Sequence, residues 1–202
     1  MSKSTNIAIS SSVAEYFGSV VDDALRARNV QASSAASQYV VGVLCDFAAP
    51  RDEAESAFSK PLTFQLRDAL EAPFGERFRR LRALGDNVLY AVGYFGGHVE
   101  LRGIDKKYVM HVGSSAYSNA AAMLHTPGEP GKFDVLGELA VKFGEFVDVL
   151  AEIAEGAMAM GARDERGVVK LYERWLRTGS SRIAEELGAR GMIPMRAAGG
   201  LN

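Results

Sequence analysis

Cysteine, histidine and tryptophan are all scarce in this sequence of 202 residues. The single cysteine, Cys45, excludes an intrachain disulfide, which favours a reducing compartment and predicts a cytoplasmic location. The N-terminal segment lacks the apolar core of a signal peptide. No apolar run reaches the ~18 residues of a membrane-spanning helix, so the sequence predicts no transmembrane segment.

Sustained alternation of apolar and polar residues is also missing, so a β-sheet is not expected. The net charge of −2 argues against broad attraction of nucleic acid but leaves room for a local basic face. Hydrophobic residues make up 48% of the chain, enough for a substantial core. The sequence predicts a single all-α domain over 1–202, with seven to eight helices in a compact bundle or layered array and short flexible tails at about 1–11 and 195–202.

The longest helical pattern runs over 133–160 and predicts one uninterrupted helix around which the others are arranged. Its apolar residues recur at alternating spacings of three and four, which places them on one stripe of a helix. The stripe comprises Leu136, Leu139, Phe143, Phe146, Leu150, Ile153, Ala157 and Met160. A second row, Gly137, Gly144 and Ala151, consists of small residues that would let another helix come close.

Acidic residues form a third row on the same predicted helix. The row comprises Glu138, Glu145, Asp148, Glu152 and Glu155. Paired carboxylates in a helical bundle bind two metal ions when Glu-x-x-His motifs complete the site, but none of the histidines completes one. A single metal ion bound by His98, Glu100 and His111 is the alternative hypothesis. The favoured interpretation is a solvated acidic face, and we expect no bound metal or other cofactor.

Apolar periodicity and capping residues predict the other helices. Their expected starts lie near Ser12, Ser33, Pro61, Gly75, Asp105, Asp164 and Ser180. The helix from Gly75 should end at Phe95, because a glycine pair follows. Gly85 in that helix predicts a close crossing with another helix, and the small-residue row of 133–160 is the candidate partner.

Polar and aromatic residues of the fourth predicted helix form a candidate ligand pocket. The set is Asp86, Asn87, Tyr90 and Tyr94, joined by Tyr39, Tyr108 and Tyr117 if the second and fifth helices pack nearby. Such a lining is typical of a small-molecule pocket, or of a haem site with His98 or His111 as the axial ligand. The favoured interpretation is core packing, with each tyrosine hydroxyl bonded at the edge of the core.

Basic residues on the seventh predicted helix form the candidate partner-binding site. Arg166, Lys170, Arg174 and Arg177 are spaced by four, four and three, which places them on one helical stripe. The structural interpretation is pairing of this stripe with the acidic row. The functional interpretation is a docking surface for an acidic or phosphate-bearing partner.

No catalytic constellation emerges from the sequence, and we predict no catalytic residues. The sequence therefore predicts a non-catalytic helical interaction protein, such as an adaptor, regulator or assembly subunit, that acts through protein–protein binding and forms a homo-oligomer. The alternative is a helical-bundle protein or enzyme that binds a metal, haem or small ligand. A third hypothesis is weak binding of nucleic acid or phosphate through a basic helix face.

Overall fold

A computed structural model of the chain describes residues 3–48, 60–101, 105–124, 134–162, 164–192 and 194–195. Side chains at 3–12, 97–101 and 165 are outside this description. Across the described ranges the regular structure is helical, which confirms the all-α prediction. The helices are α1 (Lys3–Ala27), α2 (Ser34–Ala48), α3 (Leu62–Glu71), α4 (Phe74–Leu101), α5 (Lys106–Ala122), α6 (Val135–Val141), α7 (Phe143–Gly161), α8 (Glu165–Thr178) and α9 (Ser181–Ala189).

The chain divides into two compact units, unit 1 (Met1–Ala151) and unit 2 (Glu152–Asn202). In unit 1, helices α4 and α5 form the most extensive contact, with α6 packed on α5 and α3 packed on both. Helix α2 contacts α1, α4 and α6. In unit 2, the end of α7 accompanies α8 and α9. The division falls inside α7, and the single domain over 1–202 stays a prediction.

Capping residues fix several of the helix ends. The Asp105 carboxylate accepts a hydrogen bond from the Lys107 amide at 2.8 Å, which confirms the predicted start of α5. Helix α1 begins at Lys3, however, so the predicted start near Ser12 is wrong. The physical reason is that extending an existing helix by one residue costs much less than nucleating a new one.

The prediction of one uninterrupted helix at 133–160 is wrong, because the backbone leaves helical geometry at Lys142 (φ −98°, ψ 24°). Two backbone hydrogen bonds persist around this point, from the Lys142 amide to the Glu138 carbonyl at 2.9 Å and from the Phe146 amide to the Lys142 carbonyl at 3.0 Å. Leu139 and Phe143 are buried on either side of the break. The apolar spacing therefore continues across it, which is why the sequence pattern does not reveal it.

The backbone of α4 leaves helical geometry at Phe95 (φ −117°, ψ 23°), which is where the sequence predicted the helix to end. The predicted break is present as a kink, but a second helical segment then continues through the glycine pair to Leu101. A glycine costs a helix about 1 kcal/mol relative to alanine, but it keeps its N–H donor and does not end the helix by itself. Gly85 makes the predicted close crossing, but against Tyr117 of α5 rather than the small-residue row.

Each unit has its own apolar core. In unit 1, the fully buried side chains include Leu81 and Leu89 of α4 and Val109 of α5. In unit 2, the core cluster comprises Ala159, Ala162, Leu171, Trp175, Ile183 and Leu187. No helix within the described residues is both long enough and apolar enough to cross a membrane.

Candidate functional site

The four predicted binding residues of α8 fall into two groups. Arg166, Lys170 and Arg177 are exposed. The Arg174 side chain is only 13% exposed, and its Nε lies 3.9 Å from the Glu155 carboxylate, whose side chain is 5% exposed. Arg174 is therefore part of the interior of unit 2, and three of the four predicted cations remain on the surface.

Exposed apolar side chains lie on the same side of α8 as the three cations. Val169 is 54% exposed and Leu176 is 44% exposed. We define the outer face of α8 as Arg166, Val169, Lys170, Glu173, Leu176 and Arg177, all of which are exposed. At about 100° per residue, these six positions lie within a sector of roughly 120° on the helix.

The two ends of α8 and its buried side fix the orientation of the outer face. The Asp164 carboxylate caps the N-terminus by accepting from the Gly167 amide at 2.8 Å, as predicted. Gly179 ends the helix in the left-handed region at φ 68°, a conformation that glycine adopts without steric cost. The buried Leu171 and Trp175 pack in the core of unit 2, so the outer face is turned towards solvent.

Two residues of the predicted acidic row are buried in unit 2. The prediction of a solvated acidic face is therefore wrong for these two residues. Glu152 is 6% exposed and Glu155 is 4% exposed. The Arg182 Nη1 lies 2.8 Å from a Glu152 oxygen, and the Ser180 hydroxyl donates to Glu155 at 2.6 Å. The Arg182 guanidinium packs over Gly156, since a Cβ built there would lie 2.8 Å from Arg182 Nη2. These carboxylates connect α7 to α9, and each of them already binds a group inside unit 2.

The rest of the acidic row lies in unit 1 and has varied surroundings. Glu145 and Asp148 are exposed, as predicted. The Glu138 carboxylate accepts from the Ser33 amide at 3.0 Å and from the Lys142 ammonium at 3.1 Å. Burial alone would raise the pKa of Glu138, but the hydrogen bonds from Ser33 and Lys142 outweigh it and lower the pKa. This carboxylate therefore links α6 to the start of α2.

The predicted single-metal site is only partly within the description. His111 is exposed on α5, whereas the side chains of His98 and Glu100 are outside the described residues. Among the side chains that the structure describes, no group of three histidine, cysteine, aspartate or glutamate residues is placed to hold a metal ion. The metal hypothesis and the haem hypothesis at His98 or His111 stay predictions.

Two of the predicted pocket tyrosines meet at Asp86 in unit 1. The hydroxyls of Tyr39 on α2 and Tyr117 on α5 both donate to Asp86 Oδ1 of α4 at 2.7 Å. The Arg82 Nε donates to the Tyr39 hydroxyl at 3.0 Å and lies 3.6 Å from Asp86 Oδ2. This four-residue cluster, which we call the Asp86 cluster, ties three helices together.

The electrostatics of the Asp86 cluster favour protonated phenols. Burial raises the pKa of Asp86 and outweighs the opposing effect of the two tyrosine hydrogen bonds. Burial and the neighbouring carboxylate raise the pKa of Tyr39 and of Tyr117 above the ordinary value. A tyrosine that acts as a general base or nucleophile needs a pKa moved towards neutrality. The hydroxyls of this cluster instead serve as hydrogen-bond donors inside the unit.

Tyr90 and Tyr94, two of the remaining pocket tyrosines, belong to a separate aromatic stack. The rings of Phe47 and Tyr90 are stacked with centroids 4.2 Å apart, and those of Tyr90 and Tyr94 are stacked at 5.3 Å. Phe95 packs edge-on against both tyrosines. Tyr108 on α5 is 39% exposed. Four of the predicted pocket tyrosines are therefore divided between the Asp86 cluster and this stack.

Sequence reasoning missed four residues that matter for unit 2. Val169 and Leu176 complete the outer face of α8. Ser180 and Arg182 donate hydrogen bonds to the two buried carboxylates. A signal for the first pair was present, because both lie roughly 100–160° around the helix from Leu171 and Trp175 at about 100° per residue. The second pair had no comparable signal, since the spacing of residues on α9 does not indicate which helix they face.

No protein-family model, curated protein or solved structure matches this chain.

Proposed function

We propose that this chain is a non-catalytic interaction protein, an adaptor, regulator or assembly subunit, that binds a protein partner through the outer face of α8. One observation carries the proposal. Three exposed cations lie beside two exposed apolar side chains on a helix whose ends are both capped. On such a surface, burial of the apolar side chains would supply affinity, and the adjacent charges would supply steering and specificity.

The cations of the outer face are available for a partner. The ion pairs seen in unit 2 use Arg174, Arg182 and Arg190. Within the described residues, Arg166, Lys170 and Arg177 take part in none of these pairs. Reversal of their charges would therefore leave these ion pairs of the described residues intact.

Self-association and a cytoplasmic location belong to the same proposal. Across a two-fold axis, the outer face of α8 would meet its own copy and bring cations against cations. A homo-oligomer would therefore use another surface and leave this face open.

The single Cys45, with no second cysteine in the sequence, supports a reducing compartment.

A charge-reversal experiment tests the proposal. In the test variant, R166E, K170E and R177E are combined. In the matched control, K60E, R79E and K107E make the same charge change at exposed positions of unit 1. Tagged wild type, test and control proteins are used for pull-downs from cells, and the recovered proteins are quantified by mass spectrometry.

We expect a defined set of proteins to be recovered by the wild type and the control and to fall about tenfold or more with the test variant, a change of about 1.4 kcal/mol in binding. Thermal unfolding should be the same for all three chains, because the reversed residues are exposed. Equal recovery by the test variant and the wild type would contradict the proposal.

A further inference from the structure

We infer that the partner contributes an acidic amphipathic helix that lies along α8. This inference rests on the proposed function and specifies the chemistry of the partner. The outer face of α8 carries three cations and one carboxylate, so its local charge is positive although the whole chain has a net charge of −2. The complementary surface is acidic.

The apolar pair and the cation stripe run side by side along α8. Val169 and Leu176 are seven residues apart, so they lie about 10 Å apart along the axis at 1.5 Å per residue. Arg166, Lys170 and Arg177 lie on one flank of this pair, roughly 60–120° around the helix. A partner that covers both features needs an apolar seam with carboxylates on one side only.

The spacing of the three cations favours a helical partner over an extended one. Taken from Arg166, Lys170 lies about 6 Å and Arg177 about 16.5 Å along the axis of α8. In an extended segment, residues on the same side recur about every 6.6 Å, so the second distance falls midway between two such positions. A helix with acidic residues spaced by four and seven matches both distances, because it has the same rise per residue as α8.

Glu173 adds a specificity element to this surface. It lies between the apolar pair and the cation stripe, four residues from both Val169 and Arg177. A carboxylate of the partner placed opposite Glu173 would be repelled, whereas a neutral or basic residue would be accepted. The partner helix therefore carries separated acidic positions rather than a continuous acidic run.

Fluorescence anisotropy with synthetic peptides tests the inference on the intact chain. The main probe is a stapled helix with two leucines seven residues apart and glutamates spaced by four and seven on one side. Three further probes are the same helix with both leucines replaced by serine, the same helix with its glutamates replaced by glutamine, and flexible polyglutamate. We expect the main probe to bind at least about tenfold more tightly than each of the others at about 0.15 M salt.

Variants of the chain locate the binding. The combined R166E, K170E and R177E substitutions, and separately V169S with L176S, should each weaken binding of the main probe by about tenfold or more. The K60E, R79E and K107E control should bind it as the wild type does. Equal binding of the main probe and polyglutamate would overturn the inference, because it would show recognition of charge alone.

The outcomes separate this inference from the proposed function. If the main probe does not bind while the charge reversal on α8 still removes partner proteins from the pull-down, the inference fails and the proposed function stands. If the charge reversal leaves recovery unchanged, the proposed function fails. Specific binding of the main probe would then show only that a peptide designed for this face can bind it, and not that a natural partner does.

Discussion

At the scale of single residues, Asp86 shows how a buried carboxyl connects several helices. Its Oδ1 accepts from Tyr39 and Tyr117 at 2.7 Å each, and Arg82 lies 3.6 Å from its other oxygen. Sequence reasoning placed Asp86 and these tyrosines in one candidate set but did not show that Asp86 accepts hydrogen bonds from two of them. Helical spacing shows which side of α4 Asp86 occupies, but the contacts with α2 and α5 depend on how the three helices pack.

The raised pKa of Asp86 predicts a specific pH dependence of stability. A carboxyl whose pKa is higher in the folded than in the unfolded state binds its proton more tightly when folded. The stability that this carboxyl contributes is therefore greatest below its pKa in the unfolded state, about 3.9. It is lost as the pH rises through the pKa of the folded state, and it stays lost at higher pH. The change that tests this is D86N, which removes the titration and keeps an oxygen that accepts from both tyrosines.

Urea unfolding of the wild type and D86N between about pH 4 and about pH 8 measures the effect. We expect the free energy of unfolding of the wild type, relative to D86N, to fall as the pH rises. Taking the difference cancels the titration of the other carboxyls. A difference that stays constant or grows with pH would show that folding does not raise the pKa of Asp86.

Arg174 shows a second limit of reading residues from a sequence. Its spacing from Arg166, Lys170 and Arg177 predicts a shared stripe, yet its side chain is mostly buried beside Glu155. Position 174 lies at the edge of the sector, roughly 60° from the buried Leu171 at about 100° per residue. A long side chain at such an edge turns inward when a buried carboxylate is within reach. The Arg174–Glu155 contact agrees with the structural interpretation that this stripe pairs with the acidic row, but the spacing did not show that Arg174 would pair while the other three remain exposed.

At the scale of elements, the crossing of α4 and α5 depends on a small residue. A Cβ built at Gly85 would lie 2.5 Å from the Tyr117 ring, which is fully buried and held by Asp86. The sequence indicated that Gly85 permits a close crossing, because glycine is otherwise unfavourable inside a helix. It indicated the small-residue row of 133–160 as the partner instead of Tyr117, because spacing along one helix does not show which other helix packs against it.

Two glycine-to-alanine substitutions test this crossing. G85A should lower the free energy of unfolding by roughly 1–3 kcal/mol, because the added methyl group overpacks against a ring that cannot move away. The matched control is G42A on α2, where a Cβ would meet nothing within 4 Å. It should raise the free energy of unfolding by roughly 0.5–1 kcal/mol, the usual gain of alanine over glycine in a helix.

Urea denaturation of both variants under the same conditions provides the measurement. The predicted signature is a change of opposite sign for the two substitutions. A G85A chain as stable as the wild type would mean that α4 and α5 do not approach as closely at Gly85 as the structure shows.

The break at Lys142 is another property of elements that the sequence pattern could not supply. Apolar residues keep the same spacing on both sides of it, and the adjacent backbone hydrogen bonds are retained. Periodicity reports which residues are buried, and it is insensitive to a departure from helical geometry at a single residue. The helix at 133–160 was therefore predicted as one element, and the chain forms α6 and α7.

At the scale of the whole molecule, the class of fold was predictable and its division was not. Strong helical periodicity and the absence of alternation are sufficient for an all-α prediction. The division between the two compact units falls within α7, where the apolar stripe continues through Leu150 and Ile153 without a linker-like composition. Composition identifies boundaries in exposed linkers, and this one lies inside a helix.

The central claim for the whole molecule is that it acts by binding through the outer face of α8. Photocrosslinking in cells tests this most directly. Val169 on that face and Val141 on α6, which are 54% and 86% exposed, are replaced one at a time by the photoreactive residue p-benzoylphenylalanine. The account predicts a discrete crosslinked protein from position 169, with the crosslink in an acidic amphipathic helix, and none from position 141. The same adducts from both positions, or adducts from position 141 alone, would contradict it.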